Sequence, residues 1–262
     1  MGGERRLAGA GPPVHEDQTG PVCRQPPLEH LAERAVVDGA PRRAVRLLGV
    51  QVHVTSVAHR RGGMSLPGGR VGRMGERRYD VKPLEESTWP AFAALVEANN
   101  GIFGGCWCLG FHPEGCGDSA AANRDRKRSR VLDGEAHAAL VFAGDECVGW
   151  CQFGVPDEVP RIKNRAAYEK ELSDLPDWRI ACNYVGKGHR RLGAAAAGLS
   201  GALTLIAGFG GGRVEGYPED AASVPAGFLF HGALSTYEQL GFTRDRKIGK
   251  HRWVVSKMVD PS

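Results

Sequence analysis

Residues 79–262 predict an α+β domain, a sheet flanked by helices, on three observations. Apolar residues recur with period two in some segments and period 3.6 in others, and the two kinds interleave along the chain without an internal repeat. A tight turn at Gly144-Asp145 separates two runs of strand-forming residues, the signature of a hairpin. A half-buried strand over 178–185 passes through a basic, glycine-rich turn into a long amphipathic helix.

Taken in order, Tyr79 to Leu84 reads as the first strand. Ser87-Thr88 then cap a helix with Pro90 in its first turn, where the missing N–H is no loss, and with Phe92, Leu95 and Val96 on one face. A glycine- and cysteine-rich loop runs from Asn99 to Asp118. Residues 121–133 form a helix whose Arg124, Arg126, Lys127, Arg128 and Arg130 read as a solvated basic face. Ala138–Phe142 and Cys147–Phe153 are the arms of the hairpin, and a charged helix covers Arg165 to Leu172. Between Trp178 and Val185, Trp178, Ile180, Cys182 and Tyr184 alternate with Arg179, Ala181 and Asn183. A long helix from Arg190 to Ala207, a strand from Arg213 to Tyr217, a helix from Phe228 to Leu240 and strands at Phe242–Lys247 and Trp253–Val259 complete the domain. Gly208-Phe-Gly-Gly-Gly212 follows a helix rather than a strand, so it reads as a helix stop, not a nucleotide loop.

The first 78 residues differ in kind. They hold 13 arginines, no lysine and seven acidic residues, with seven prolines and 13 glycines and no clear hydrophobic period. All eight lysines lie at or beyond Lys82, and the remainder of the chain carries 21 basic against 23 acidic residues. The overall charge of +4 therefore comes from the leader, and a nucleic-acid partner inferred from it would rest on that tail alone. The leader reads as a disordered tail or as sequence upstream of a true start, with Met64 and Met74 as alternatives to Met1. One stretch, Pro41 to Thr55, suits a strand or frayed helix, but nothing near it in sequence offers a partner. The chain as a whole has the 42% hydrophobic and 24% charged makeup of a globular protein, with no apolar run long enough for a membrane span. Seven irregularly spaced cysteines suggest reduced thiols in a cytoplasm rather than a disulfide framework.

The most informative segment is Tyr184-Val-Gly-Lys-Gly-His-Arg-Arg-Leu-Gly-Ala-Ala195. Unpaired N–H groups at a helix N-terminus favour an anion, Gly193, Ala194 and Ala195 allow close backbone approach, and Lys187, Arg190 and Arg191 add positive charge. Val185 and Leu192 flank this cradle for a pyrophosphate. Leu192, Leu199, Leu203 and Ile206 form the helix's buried face, and Gly198 and Gly201 imply that something packs tightly against it.

Arg190-Arg-Leu-Gly-Ala-Ala195 matches the R/Q-x-x-G-x-G/A signature of the GNAT acetyltransferase superfamily, and Ala233 to Phe242 is similar to that family's closing helix, which ends Y-E-x-x-G-F. The resemblance runs from Tyr79 to Val259 and is nearest to an actinobacterial-type branch carrying a G-G-C-W-C loop, here Gly104 to Cys108. It implies a mixed central sheet whose fourth and fifth strands, Trp178–Val185 and Arg213–Tyr217, splay apart around acetyl-CoA. It further implies cosubstrate contacts from Val185, Lys187, Arg190, Arg191, Leu192, Gly193, Ala194 and Ala195, and a proton donor to the leaving thiolate at Tyr237. An asparagine that many members carry before that tyrosine is replaced here by Phe230 and His231.

Acyl transfer from a thioester to an amine requires a base, an oxyanion donor and an acid for the thiolate. The backbone N–H near Val185 suits the oxyanion, while Glu215, Asp157 and Glu158 are the available acids for a base acting through water. Cys106-Trp-Cys108, His112 and Cys116 spell C-x-C-x₃-H-x₃-C, tighter than common zinc spacings, so the loop is expected to hold no metal and to pack its thiols beside the substrate. Cys147, Cys151 and Cys182 read as buried, and His137 and His251 as structural. The function expected is an acetyl-CoA-dependent N-acetyltransferase acting on a small-molecule or peptide amine, with neither nucleic acid nor membrane as partner. A noncatalytic CoA-binding or regulatory module and a metal- or thiol-sensing interaction protein built on the cysteine loop are the alternatives.

Overall fold

The computed structural model describes residues 52–54, 78–220 and 229–262. Eight strands form one mixed sheet in the order β1-β2-β3-β4-β5-β6-β8-β7. They are β1 (Val52–Val54), β2 (Tyr79–Pro83), β3 (His137–Ala143), β4 (Glu146–Gly154), β5 (Trp178–Val185), β6 (Gly212–Gly216), β7 (Thr243–Lys247) and β8 (Trp253–Val259). The helices are α1 (Trp89–Glu97), α2 (Ala120–Leu132), α3 (Arg165–Lys170), α4 (Ala194–Gly208) and α5 (Leu234–Gln239). All neighbours are antiparallel except β5 and β6, which run parallel and are joined by α4 as a crossover. The α+β architecture is therefore the one the sequence predicts.

Strand β1 pairs with β2, placing Val52 opposite Val81 and Val54 opposite Tyr79. So the stretch for which the nearby sequence offers no partner has one, supplied by Tyr79, Asp80 and Val81 further along the chain. The rest of the expected disordered leader lies outside the described residues. At the other edge, β7 (Thr-Arg-Asp-Arg-Lys) is mostly exposed and charged, which discourages pairing with another chain.

Two apolar layers cover the sheet. On one face α1 seats Phe92 against Trp150, ring centroids 5.1 Å apart, and Trp89 stacks on Trp107 of the cysteine loop at 5.9 Å. On the other face α4 lies flat because glycines line its contact side. A Cβ at Gly201 would come within 2.4 Å of Val81 Cγ1, and one at Gly198 within 3.1 Å of Val141. The helical cost of these glycines is thus offset by close approach of helix to sheet.

Two elements are shorter than expected. Helix α4 starts at Ala194, not Arg190, because Arg190 is extended (ψ 147) and Arg191 and Gly193 sit at φ 60 and 91. Helix α5 starts at Leu234: Gly232 lies at φ 88 and Ala233 is extended, so residues 229–233 run as a strap rather than a helical turn. Residues 221–228, which the expected helix partly included, lie outside the description.

Candidate active site

The site begins with one extra residue. Gln152 pairs with Cys182, but its neighbour Phe153 pairs with Ile180, so Ala181 bulges out of β5. At that point β6 leaves: its last parallel partner is Ile180, opposite Gly216. Beyond the bulge β5 is held by β4 on one side and opens on the other. Gly186 N–H donates to the Val148 carbonyl at 2.9 Å, so strand alternation aims the N–H groups of Asn183 and Val185 away from β4, into the opening.

The opening is partly filled by the chain itself. Phe230 carbonyl accepts from Asn183 N–H at 2.7 Å, and Gly232 carbonyl accepts from Glu219 N–H at 3.1 Å. The strap 229–233 is therefore bonded to both sides of the splay. Beneath it the Tyr237 ring fills the floor between two glycines. A Cβ at Gly216 would lie 2.3 Å from Tyr237 Cε1, and one at Gly232 would lie 3.1 Å from Cε2. Tyr237 is fully buried, its hydroxyl donates to the His231 carbonyl at 2.9 Å, and burial raises its pKa well above the usual phenol value.

Next to the splay stands the N-terminus of α4. Gly193 precedes it in the left-handed region and no side chain caps it, leaving the first N–H groups available to an anion. Lys187, Arg190 and Arg191 are exposed around it, and Arg190 Nε donates to the Val185 carbonyl at 3.0 Å. Ala194 is buried, whereas Val185, Leu192 and Ala195 are half-buried. The structure thus gathers the expected cradle residues at one end of β5. Asn183, which the sequence reading passed over, ties the two parts together: its Nδ2 donates to the Ala195 carbonyl in the first turn of α4 at 3.1 Å. An amide near the end of a strand whose one other strongly polar residue is Arg179 was the available signal.

The acids considered as bases are engaged elsewhere. Glu215 is buried, its Oε2 accepting from the Tyr168 and Tyr217 hydroxyls at 2.8 and 3.1 Å. Glu158 binds His137 through the backbone N–H at 3.0 Å and the ring Nδ1 at 2.6 Å. Asp157 is exposed. His231, seen in the sequence only as a departure from the family pattern, is buried in the strap against Phe111 at 5.1 Å. Burial holds its pKa well below the usual imidazole value, so the ring is neutral.

The cysteine loop walls the same face. Five of its non-glycine residues, Asn100, Ile102, Phe103, Trp107 and Cys108, take positive φ between 44 and 57. For Ile102 and Phe103 this is unusual, and such strain persists only where the surroundings fix it. Cys116 and Cys106 sulfurs lie 3.5 Å apart, and the Trp150 indole N–H donates to Cys108 Sγ at 3.3 Å. Both ring nitrogens of His112 are occupied: Nδ1 faces the Glu158 carbonyl at 3.0 Å, and Nε2 faces Lys127 Nζ at 3.0 Å and Gln152 Nε2 at 2.9 Å. Lys127, expected on a solvated face, is instead buried, and burial lowers its pKa. Among the described residues no group of three or more His, Cys, Asp or Glu could hold a metal ion, no helix is long and apolar enough to cross a membrane, and none of six cysteines is in a disulfide.

No family model matches this chain, and no curated protein matches it. Among solved structures it is similar to an acetyltransferase of the GNAT family from Streptococcus pneumoniae, at 12% identity over 69% of this chain and 99% of that one, with a TM-score of 0.40. It is similar to the ribosomal-protein-S18-alanine N-acetyltransferase from Escherichia coli, at 11% identity over 70% and 96% of the two chains, with a TM-score of 0.39. A third is an acetyl transferase from Salmonella typhimurium that modifies the N-terminal serine of ribosomal protein L7/L12, at 16% identity over 70% and 95%, with a TM-score of 0.40.

Proposed function

We propose that residues 79–262 form an acetyl-CoA-dependent N-acetyltransferase. The observation that carries this reading is the coincidence, at one end of β5, of backbone N–H groups turned toward the splay, that of Asn183 held by the strap's Phe230 carbonyl, and an uncapped helix N-terminus ringed by cations. The first suits a thioester oxygen and an amide-bearing arm, the second a pyrophosphate. In this reading Lys187, Arg190, Arg191 and the N–H groups after Gly193 bind the phosphates, with Leu192, Ala194 and Ala195 shaping the turn. Val185 N–H receives the oxyanion. The amine nitrogen forms its bond to the acetyl carbon as the C–S bond breaks, and the amine's proton is lost as the thiolate gains one. Tyr237 is proposed to supply that last proton. No carboxylate among those considered faces the opening, so the acceptor enters as the free amine or through water. The cysteine loop is proposed to work without metal, since His112 has no ring nitrogen to offer.

Release of free thiol from acetyl-CoA with a panel of amines tests the reaction. Lys187→Glu tests the cradle, because this exposed side chain can change without disturbing the fold. It should weaken CoA binding by tenfold or more in calorimetry at low salt, with unchanged melting; unchanged affinity would place the phosphates elsewhere. Gly193→Val is a poorer probe, since φ 91 would strain any β-branched side chain. A second reading, a noncatalytic CoA-binding module, is favoured by the Phe230 carbonyl on Asn183 and by the engaged Tyr237 hydroxyl. Tight CoA binding without thiol release on any amine would select it.

A further inference from the structure

Beside the splay, on the α1 face, a cleft of about 660 Å³ counting its open mouth has a composition that narrows the acceptor. Its position is set by Trp150 of β4, Cys182 of β5 and Phe230 of the strap. Cys182 lies three residues before Val185 on β5, so the cleft is lined by the same strand whose Val185 N–H is proposed to receive the oxyanion.

Its walls are aromatic. Phe103 meets Phe230 edge-on at 5.7 Å, Phe111 is tilted against Phe230 at 6.3 Å, and Trp150 stacks on Tyr184 at 4.5 Å. Phe103 reaches the cleft from a backbone at φ 44 and its neighbour Ile102 from φ 56, so the loop holds uncommon conformations where it supplies this wall. Flat apolar groups gain from stacking and edge contacts in such a box.

The polar groups in the lining have one sign of charge. Arg161 and Lys163 line the cleft, and no acidic residue does. Arg161 is held in place by donating from Nε and Nη2 to the Pro113 carbonyl at 3.1 and 3.0 Å. Lys163 Nζ sits 4.9 Å over the Phe230 ring. Glu219, the acid whose charge reaches Lys163, is itself paired with the Arg252 guanidinium. Among the described residues neither Arg161 nor Lys163 has a carboxylate in ion-pair range. Two cations at the mouth of an aromatic box with no acid repel a polyamine and attract an oxyanion.

We infer that the cleft takes an aromatic amine carrying a carboxylate, an aromatic amino acid or close analogue, with its ring among Phe103, Phe111, Phe230 and Trp150 and its carboxylate on Arg161 and Lys163. The inference rests on the acetyltransferase reading only for what happens next: the bound amine attacks the acetyl carbon, giving the N-acetyl amino acid and free CoA. The test uses the full chain in two assays. In the first, thiol release is measured with phenylalanine, tryptophan, phenethylamine, tryptamine and spermidine. The amino acids should exceed their decarboxylated counterparts at least tenfold in kcat/KM, and Lys163→Met should lower that ratio at least tenfold with an unchanged unfolding midpoint. Faster turnover of the amines lacking a carboxylate, or of spermidine, or a ratio indifferent to Lys163→Met, overturns the inference and leaves acetyl transfer standing. In the second, phenylalanine is titrated without CoA against tryptophan fluorescence, because Trp150 lines the cleft. A saturable change that weakens tenfold in Lys163→Met supports the assignment even if no amine is acetylated, in which case the acetyltransferase reading alone fails. If neither phenylalanine nor tryptophan is acetylated and phenylalanine causes no saturable change, the inference is overturned.

Discussion

Tyr237 shows how much can depend on one hydroxyl. A phenol has a single proton to donate, and here it goes to the His231 carbonyl in the strap. The ring is packed closely between Gly216 and Gly232. If Tyr237 is the acid proposed above, its bond to the strap must break first, and a cosubstrate that took the Asn183 N–H from the Phe230 carbonyl would displace the strap that carries the His231 carbonyl. Burial raises the phenol's pKa, which keeps the proton in place at neutral pH. Tyr237→Phe preserves the ring and its edge-on contact with Phe242 at 5.1 Å. Under the acid role, kcat at saturating acetyl-CoA should fall by more than about a hundredfold with CoA affinity unchanged. A fall of less than about tenfold, the scale of one modest hydrogen bond, would leave Tyr237 as the residue that packs the splay floor and pins the strap.

At the scale of elements, the cysteine loop is tied down at His112. This ring joins the loop to α2 through Lys127, to β4 through Gln152 and to the turn after β4 through the Glu158 carbonyl. Its pKa is lowered from 6.5 to about 2, by burial first and then by the charges of Lys127 and Arg130. The sign of the pH effect follows. Below about pH 6.5 the unfolded chain binds a proton at this ring and the folded chain does not, so stability falls as pH falls, by about 1.4 kcal/mol per pH unit. Urea unfolding at pH 7, 6 and 5 should show a slope to which the buried His231 adds a share of the same sign, and His112→Gln should be less steep by about the His112 amount; identical slopes in the two proteins would mean that the His112 ring is not held neutral. The bounds of the strands that carry the site were legible locally, since β5, Trp178–Val185, and β8, Trp253–Val259, run where expected, but β5 is buried on both faces rather than half-buried, because helices cover both sides of the sheet there. The His112 knot was not legible. Its partners lie 15, 40 and 46 positions away, and a lysine among five basic residues gives no local sign of burial. The Ala181 bulge and the strap at Asn183 were hidden for the same reason, since both are decided by what β4 and residues 229–233 do across the sheet. The starts of α4 and α5 were missed for a different one: at α4, Arg191 at φ 60 sits in a region that a non-glycine residue does not advertise, whereas α1 and α3 begin where the sequence places them.

For the whole molecule, the open question of composition is where the domain begins. The arginine-rich leader differs from the rest of the chain, which argues for a boundary near Tyr79 and for an N-terminal region that can be removed. Against this, Val52–Val54 is the outermost strand of the sheet and covers the free edge of β2. Strand β2 is itself under α4, with Val81 at the Gly201 contact, so a disturbed β2 would be felt in the helix whose N-terminus forms the cradle. Three paired residues contribute on the order of two ladder hydrogen bonds, roughly 1–3 kcal/mol in all. For a domain of this size each kcal/mol shifts melting by about 2–4 °C. A chain starting at Met74 should therefore melt roughly 3–8 °C below the full-length protein. Its CoA affinity should remain within about threefold, because β5 is separated from the cut edge by β3 and β4, and α4 meets β2 at Gly201, about two turns from the N-terminus that forms the proposed cradle. A chain starting at Met64 also lacks Val52–Val54 and should show the same loss, whereas one starting at Pro41 should show none. Equal melting of the Met74 and full-length chains would mean that the strand contributes nothing, and that the leader is as dispensable as its composition suggests.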